Sequence, residues 1–293
     1  MAIVRTVHPI ERLRSVARAE GAGPSLLARE AAEALVGLDP ESLSAAPLGP
    51  SLVESGQLAP DRRAFVTALR RLVDRHPTVG TMWWLAARVM ASSEPGREAR
   101  RACEAIEMDS TPNVLGSALP DDATVVIVGW PEQVSEALRR RGDLEVLVVD
   151  CLGEGFELAR RLHGSGMEAE LVPDAGLGTA VCESDLVLLE ASAMGPDGFL
   201  ASAGSRAGAA VAHHAGIPVW LVAGVGRVLP DRLWEALLAR LDQAPEEPWH
   251  CSEELVPLAL ADHAARPEGV LAPADAAGRG DCPVVAELLR PVG

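Results

Sequence analysis

Three polar residues directly follow apolar runs that read as strands. Asp150 comes after Leu144–Val149, and Glu190 and Ser192 come after Asp185–Leu189. Polar groups at the carboxyl ends of parallel strands line the crevice in which open α/β sheets bind small molecules. A carboxylate there can act as a general base once burial raises its pKa, so Glu190, Ser192 and Asp150 are the catalytic candidates. Glu190 can equally cap a helix or pair with Arg206, and Asp150 can equally be the acid that precedes a helix. A second set suits ligand recognition. Cys151 follows Asp150, and Asp174 leads into Gly176-Leu-Gly178, where two glycines either let a phosphate approach backbone N–H groups or simply make a tight turn. Gly204-Ser205-Arg206 opens an alanine-rich helix, with Arg206 either an anion contact or half of a surface ion pair. His213-His214 lies inside that helix, where neighbours point about 100° apart, so the pair is no metal site. Asp197-Gly198 reads as a turn.

The elements that must hold these residues have two rhythms. Residues 10 to 108 have helical spacing, with apolar positions such as Leu26, Leu27, Ala31, Ala34 and Leu35. A Pro/Gly/Ser-rich break runs from Asp39 to Pro60, and Asp61 is the expected N-cap of the helix after it. Beyond Pro120, β-rich runs alternate with helices: Thr124–Val128, Leu144–Val149, Glu168–Val172, Asp185–Leu189 and Ile217–Val222. That alternation predicts βαβ units and a parallel sheet covered on both faces. The expected fold class is α/β: a helical N-terminal domain over 1–118, then a Rossmann-like parallel-sheet domain over 119–293. The latter carries a C-terminal tail whose pieces Glu253–Leu258 and Glu268–Pro273 pack onto it.

Composition narrows the classes. The 293 residues hold 26 Lys plus Arg against 42 Asp plus Glu, a formal charge of −16, and a field of that sign repels nucleic-acid backbones. The five cysteines have no CxxC spacing, so neither a zinc site nor a disulfide framework is expected. No apolar run approaches bilayer length and no signal-peptide pattern opens the chain. The expectation is a cytoplasmic protein without membrane or nucleic-acid partners, and the Lys-free, Arg-only usage suggests a GC-rich bacterial source.

Five ordered segments resemble one family. They are His76-Pro-Thr-Val-Gly80, Val149-Asp-Cys-Leu-Gly153, Leu171-Val-Pro-Asp174 with Gly176-Leu-Gly178, the stretch Asp185–Arg206, and Ala215-Gly-Ile-Pro-Val219. The chain is similar over about residues 20 to 275 to the alpha, beta and delta subunits of translation initiation factor 2B. The same family includes the isomerases of methylthioribose 1-phosphate and ribose 1,5-bisphosphate. The resemblance implies a helical domain, a Rossmann-like domain and homodimers or larger assemblies. It also implies that Gly21-Ala-Gly-Pro-Ser25 with Arg29 faces the cleft.

The departures carry the functional expectation. Where the isomerases place a cysteine after the first strand, Val128-Gly-Trp-Pro-Glu132 has none. Their Gly-Ala-Asp becomes Glu190-Ala191-Ser192, their Asn-Lys becomes Ala201-Ser202, and Asp150-Cys151-Leu152-Gly153 loses an arginine. The implied protein is non-catalytic, needs no cofactor or metal, and binds a phosphorylated metabolite or nucleotide in a regulatory or assembly role. The other reading is a divergent sugar-phosphate aldose–ketose isomerase of a specialised bacterial pathway.

Overall fold

The computed structural model describes residues 8–19, 23–37, 62–243 and 247–290. The break at Asp39–Pro60 and the expected cap Asp61 lie outside these residues. The chain forms two compact units. The first comprises the described residues up to Met108 together with Arg232–Asp242 and those from Cys282 onward; the second comprises Asp109–Asp231 and Gln243–Asp281. The division therefore falls at Met108/Asp109, ahead of the expected 118, and two later stretches return to the first unit.

The first unit contains α1 (Pro9–Val16), α2 (Pro24–Val36), α3 (Arg62–Arg75), α4 (Gly80–Ala91) and α5 (Pro95–Glu107). Helix α4 is apolar on nearly every side, and Met82, Trp83, Trp84, Leu85 and Ala86 are all buried. A helix without a polar face must be central. Its two indoles carry guanidinium groups, Arg88 over Trp84 at 5.0 Å and Arg240 over Trp83 at 4.5 Å. Arg240 reaches from Asp231–Leu241, labelled α11 below, and pairs with Asp74 at 3.0 Å.

The second unit opens with α6 (Thr111–Ala118) and then β1 (Thr124–Val128), α7 (Glu132–Leu138), β2 (Glu145–Asp150), α8 (Gly155–Gly164), β3 (Glu168–Pro173), α9 (Leu177–Cys182) and β4 (Leu186–Glu190). It continues with β5 (Ala193–Met194), β6 (Gly198–Ser202), α10 (Ser205–Ala215) and β7 (Val219–Val222) and, after α11, which belongs to the first unit, with β8 (Glu253–Pro257), β9 (His263–Arg266), β10 (Gly269–Leu271) and α12 (Pro273–Ala277). The main sheet runs β10-β9-β7-β4-β1-β2-β3, parallel except for β10. Its six parallel strands follow the order of doubly wound dinucleotide-binding sheets, with the reversal between β1 and β4. Val126 and Val128 enter one core and Val125 and Ile127 the other, because successive strand residues point to opposite faces. The edge strand β3 bears Glu168, Glu170 and Pro173, groups that discourage further pairing.

Two features depart from the expected outline. Helix α6 stands where no element was expected, and the stretch after β4 is no simple loop. It forms a β5–β6 hairpin closed by the Gly195 N–H on the Gly198 carbonyl, and β8 joins it in a second, antiparallel sheet of order β5-β6-β8. No helix among the described residues is long and apolar enough to cross a membrane.

Candidate functional site

The carboxyl edge of the main sheet gathers most of the candidates, and almost every polar group there already has an internal partner. Glu190 ends β4 with its side chain only 6% exposed. One oxygen meets the Arg227 guanidinium at 2.7 Å, and the other accepts the N–H groups of Gln133 (2.7 Å) and Val134 (3.1 Å) at the start of α7. Burial pushes its carboxyl pKa up, against the opposing pull of Arg227 and the Val134 N–H. Arg227 is 1% exposed and also donates to the Ala191 carbonyl. Glu190 therefore caps a helix and balances a buried cation. Its ion-pair partner is Arg227 and not Arg206, and both of its oxygens are engaged within the protein.

Behind this pair lies a second acid that sequence reasoning passed over. Asp109 accepts the N–H and hydroxyl of Thr111 on one oxygen, which caps α6. Its other oxygen takes the Gln133 amide at 2.6 Å and the Val225 N–H at 2.8 Å. Gly224 fits here because a β-carbon on it would overlap both Gln133 and Asp109. Gly224-Val-Gly226-Arg227 directly after a strand was the available signal of close backbone approach.

The remaining catalytic candidates are also engaged. Asp150 accepts the N–H groups of Gly153 at 2.6 Å and Gly155 at 3.2 Å, so it shapes the turn from β2 into α8. Ser192 is 5% exposed, and its hydroxyl donates to the Leu200 carbonyl at 3.3 Å inside the second sheet. In both cases the bonded atom serves the backbone beside it.

The ligand-binding candidates fare unevenly. Asp174 is exposed and accepts its own neighbour's N–H, from Ala175, at 2.7 Å. A side chain on Gly176 would press on Val172, while Gly178 has open space around it, and neither has a positive φ. The pair opens the short α9, and nothing in its backbone demands the flexibility a phosphate loop uses. Gly204 does demand it: at φ +97° it takes the left-handed conformation, and the Cys151 sulfur lies against the position its β-carbon would fill. Burial raises the Cys151 thiol pKa, helped by the charges of Asp174, Asp150 and Glu254. Ser205 is 1% exposed at the start of α10, and Arg206 is exposed beside it.

The phosphate expected at this helix start meets an occupant. Oε1 of Glu254, on β8, accepts the N–H groups of Gly204 at 2.7 Å and Arg206 at 3.0 Å. No local pattern announced this acid, because its partners lie 50 and 48 residues away. Arg29 belongs to the first unit, on α2, 3.9 Å from Glu33; Gly21 and Ala22 before it lie outside the described residues. Among the described residues one cluster has metal-ligand spacing, Glu33, Cys103 and Glu107, also in the first unit. Burial and neighbouring acids push the Cys103 thiol up to about 11, and Arg12 pairs with Glu33 at 2.6 Å. A protonated thiol beside a guanidinium is a poor cation ligand, so no metal site is assigned.

A helical unit and a doubly wound α/β unit with a self-satisfied crevice define the class. No family profile matches the chain. A Pyrococcus horikoshii protein described as eIF-2B subunit 2-like is 27% identical over 226 residues, covering 73% of this chain and 77% of its own length. Its Pyrococcus abyssi counterpart is 26% identical over 214 residues, covering 69% and 72%. The crystal structure of the P. horikoshii initiation factor eIF-2B superposes with a TM-score of 0.70 at 18% identity, covering 92% of this chain and 99% of that one. The beta2-delta2 tetramer of eIF2B from Chaetomium thermophilum gives a TM-score of 0.66 at 15% identity, covering 92% of each chain. The chain is thus similar in sequence to archaeal proteins described as eIF-2B subunit 2-like, and it shares the fold of the eIF2B structures.

Proposed function

We propose that this chain is a non-catalytic member of the family of initiation factor 2B alpha, beta and delta subunits and works by assembling with other chains. One observation carries the reading: both oxygens of Glu190, one oxygen of Asp150 and the hydroxyl of Ser192 are spent on protein backbone or on Arg227. An aldose–ketose shift needs a group free to take a proton from carbon and return it. Assembly is supported by the tetrameric eIF2B complex among its structural neighbours. A phosphorylated metabolite or nucleotide at the start of α10 would first have to displace Glu254. The rival reading, a divergent isomerase using Glu190 or Asp150 with Ser192, would need these groups to leave their present partners.

Incubation of the purified chain with methylthioribose 1-phosphate and ribose 1,5-bisphosphate tests the first half, with no conversion above the enzyme-free control expected. Turnover of about 1 s⁻¹ or faster, the ordinary range for enzymes, would overturn it. Light scattering behind size exclusion tests the second half. A species larger than one chain is expected, alone or mixed with other family subunits; a monomer under every condition would remove the assembly role.

A further inference from the structure

The five cysteines divide by exposure: Cys103 and Cys282 are buried, Cys182 is exposed, and Cys151 and Cys251 are half-buried. The last two are far apart in the sequence, yet the fold brings both to Gly204. Cys151 approaches from the end of β2. Its sulfur lies against the position that a Gly204 β-carbon would fill, and its own β-carbon is 3.3 Å from that position. Cys251 approaches from the start of β8. The β6–β8 register pairs Ser202 with Glu253, and the Ala203 N–H extends it by donating to the Ser252 carbonyl at 2.9 Å. Cys251 comes next in extended backbone, φ −68° and ψ 140°, so it stands across from Gly204. Opposite residues of an antiparallel pair have Cα atoms about 4.5–5.5 Å apart, and a disulfide spans Cα separations of about 4.4–6.8 Å. Gly204 itself sets no side chain between the two thiols.

We infer that Cys151 and Cys251 lie within bridging reach across Gly204 and form a reversible disulfide when the chain meets a hydroperoxide. With hydrogen peroxide the atoms balance in two steps. The Cys251 thiol cleaves the O–O bond and becomes a sulfenic acid, releasing one water. The Cys151 sulfur then attacks that sulfur, the S–O bond breaks, and the departing hydroxyl leaves with the Cys151 proton as a second water. The two thiols have lost two electrons and the peroxide has gained them. Burial and the charges of Asp174, Asp150 and Glu254 hold the Cys151 thiol protonated, so it meets the oxidant slowly. Held beside a sulfenic acid, it reacts as an intramolecular partner. The bond ties the end of β2 to the start of β8 beside the contact of Glu254 with Gly204 and Arg206, so oxidation stiffens the carboxyl edge. None of this depends on the non-catalytic reading.

The test treats the fully reduced wild-type chain with dilute hydrogen peroxide, alkylates the remaining thiols and maps the peptides by mass spectrometry. The expected product has lost two hydrogens, resists alkylation at Cys151 and Cys251, and yields their two peptides joined. Dithiothreitol should separate them. Cys182→Ser should keep the link. Cys151→Ser should lose it and leave Cys251 as a sulfenic acid that dimedone traps. Oxidised wild type should melt several degrees above the reduced chain, because a cross-link closing so long a loop restricts the unfolded state. The wild-type peptide map carries the test even if a serine variant does not fold. Free thiols at 151 and 251 after Cys182 has been oxidised would overturn the inference. So would a bridge to another cysteine or between two chains, or a sulfinic acid at Cys251 with Cys151 still free. Sugar-phosphate turnover by wild type would overturn the non-catalytic reading without bearing on this bond.

Discussion

At the scale of single residues, the buried pair of Glu190 and Arg227 is the most consequential contact in the second unit. Removing one member of such a pair strands the other charge without solvent, at a cost of about 3–5 kcal/mol. Arg227→Met should therefore lower the unfolding free energy obtained from urea titration by about 3–5 kcal/mol, and adding Glu190→Gln should recover most of the loss. A double variant whose cost is the sum of the two single costs would mean that the two charges are not coupled. Gly224→Ala should cost about 1–3 kcal/mol by crowding Gln133 and Asp109, and Gln133→Ala in the same chain should relieve part of it. The thiols make a third case. An ordinary thiol ionises near 9, whereas Cys103 in the folded chain holds its proton up to about 11. The unfolded chain thus releases that proton first as pH rises, so Cys103 contributes stability below pH 9 that is lost between about 9 and 11. Melting temperature against pH should fall less steeply over that window in Cys103→Ala. Near pH 8 a thiol reagent should reach exposed Cys182 quickly and buried Cys103 only on unfolding.

At the scale of elements, α6 depends on an arginine outside itself. Arg141 donates to the Gly116 carbonyl at 2.8 Å, to Leu119 at 3.0 Å and to Pro120 at 3.0 Å, closing the helix end, while Asp121 and Asp143 hold its guanidinium. Arg141→Met should speed amide exchange in the last turn of α6 while leaving β1 protected. Unchanged protection there would show that packing alone holds the helix. This element also marks where the sequence stopped being informative. The run Thr124-Val-Val-Ile-Val128 declares itself by β-branched, fully apolar composition and is β1 to the residue. Helix α6, eight residues with Pro112 and Gly116 inside, is too short to display a period. The second sheet is invisible for another reason, because β6 and β8 are some fifty residues apart and only the fold brings them together. Candidate residues were located correctly at the strand ends for the same reason that the strands were. Their partners, Arg227 for Glu190 and Glu254 for Gly204, come from distant segments with no pattern of their own.

At the scale of the whole molecule, charge is the dominant property. A formal charge of −16 on 293 residues means that the compact state works against its own repulsion. Added salt screens exposed charges, so the melting temperature should rise as sodium chloride increases from a few millimolar to about 0.2 M. A flat or falling curve would indicate that favourable ion pairs, such as Arg12 with Glu30 and Glu33, outweigh the net field.

The tight approach of Cys151 to Gly204 also bears on how this chain can change over time. Any side chain gained at 204 meets sulfur before it meets solvent, and the left-handed turn resists it as well. A lineage acquiring a new residue at 204 must therefore turn aside or replace the thiol at 151 as well as strain the turn.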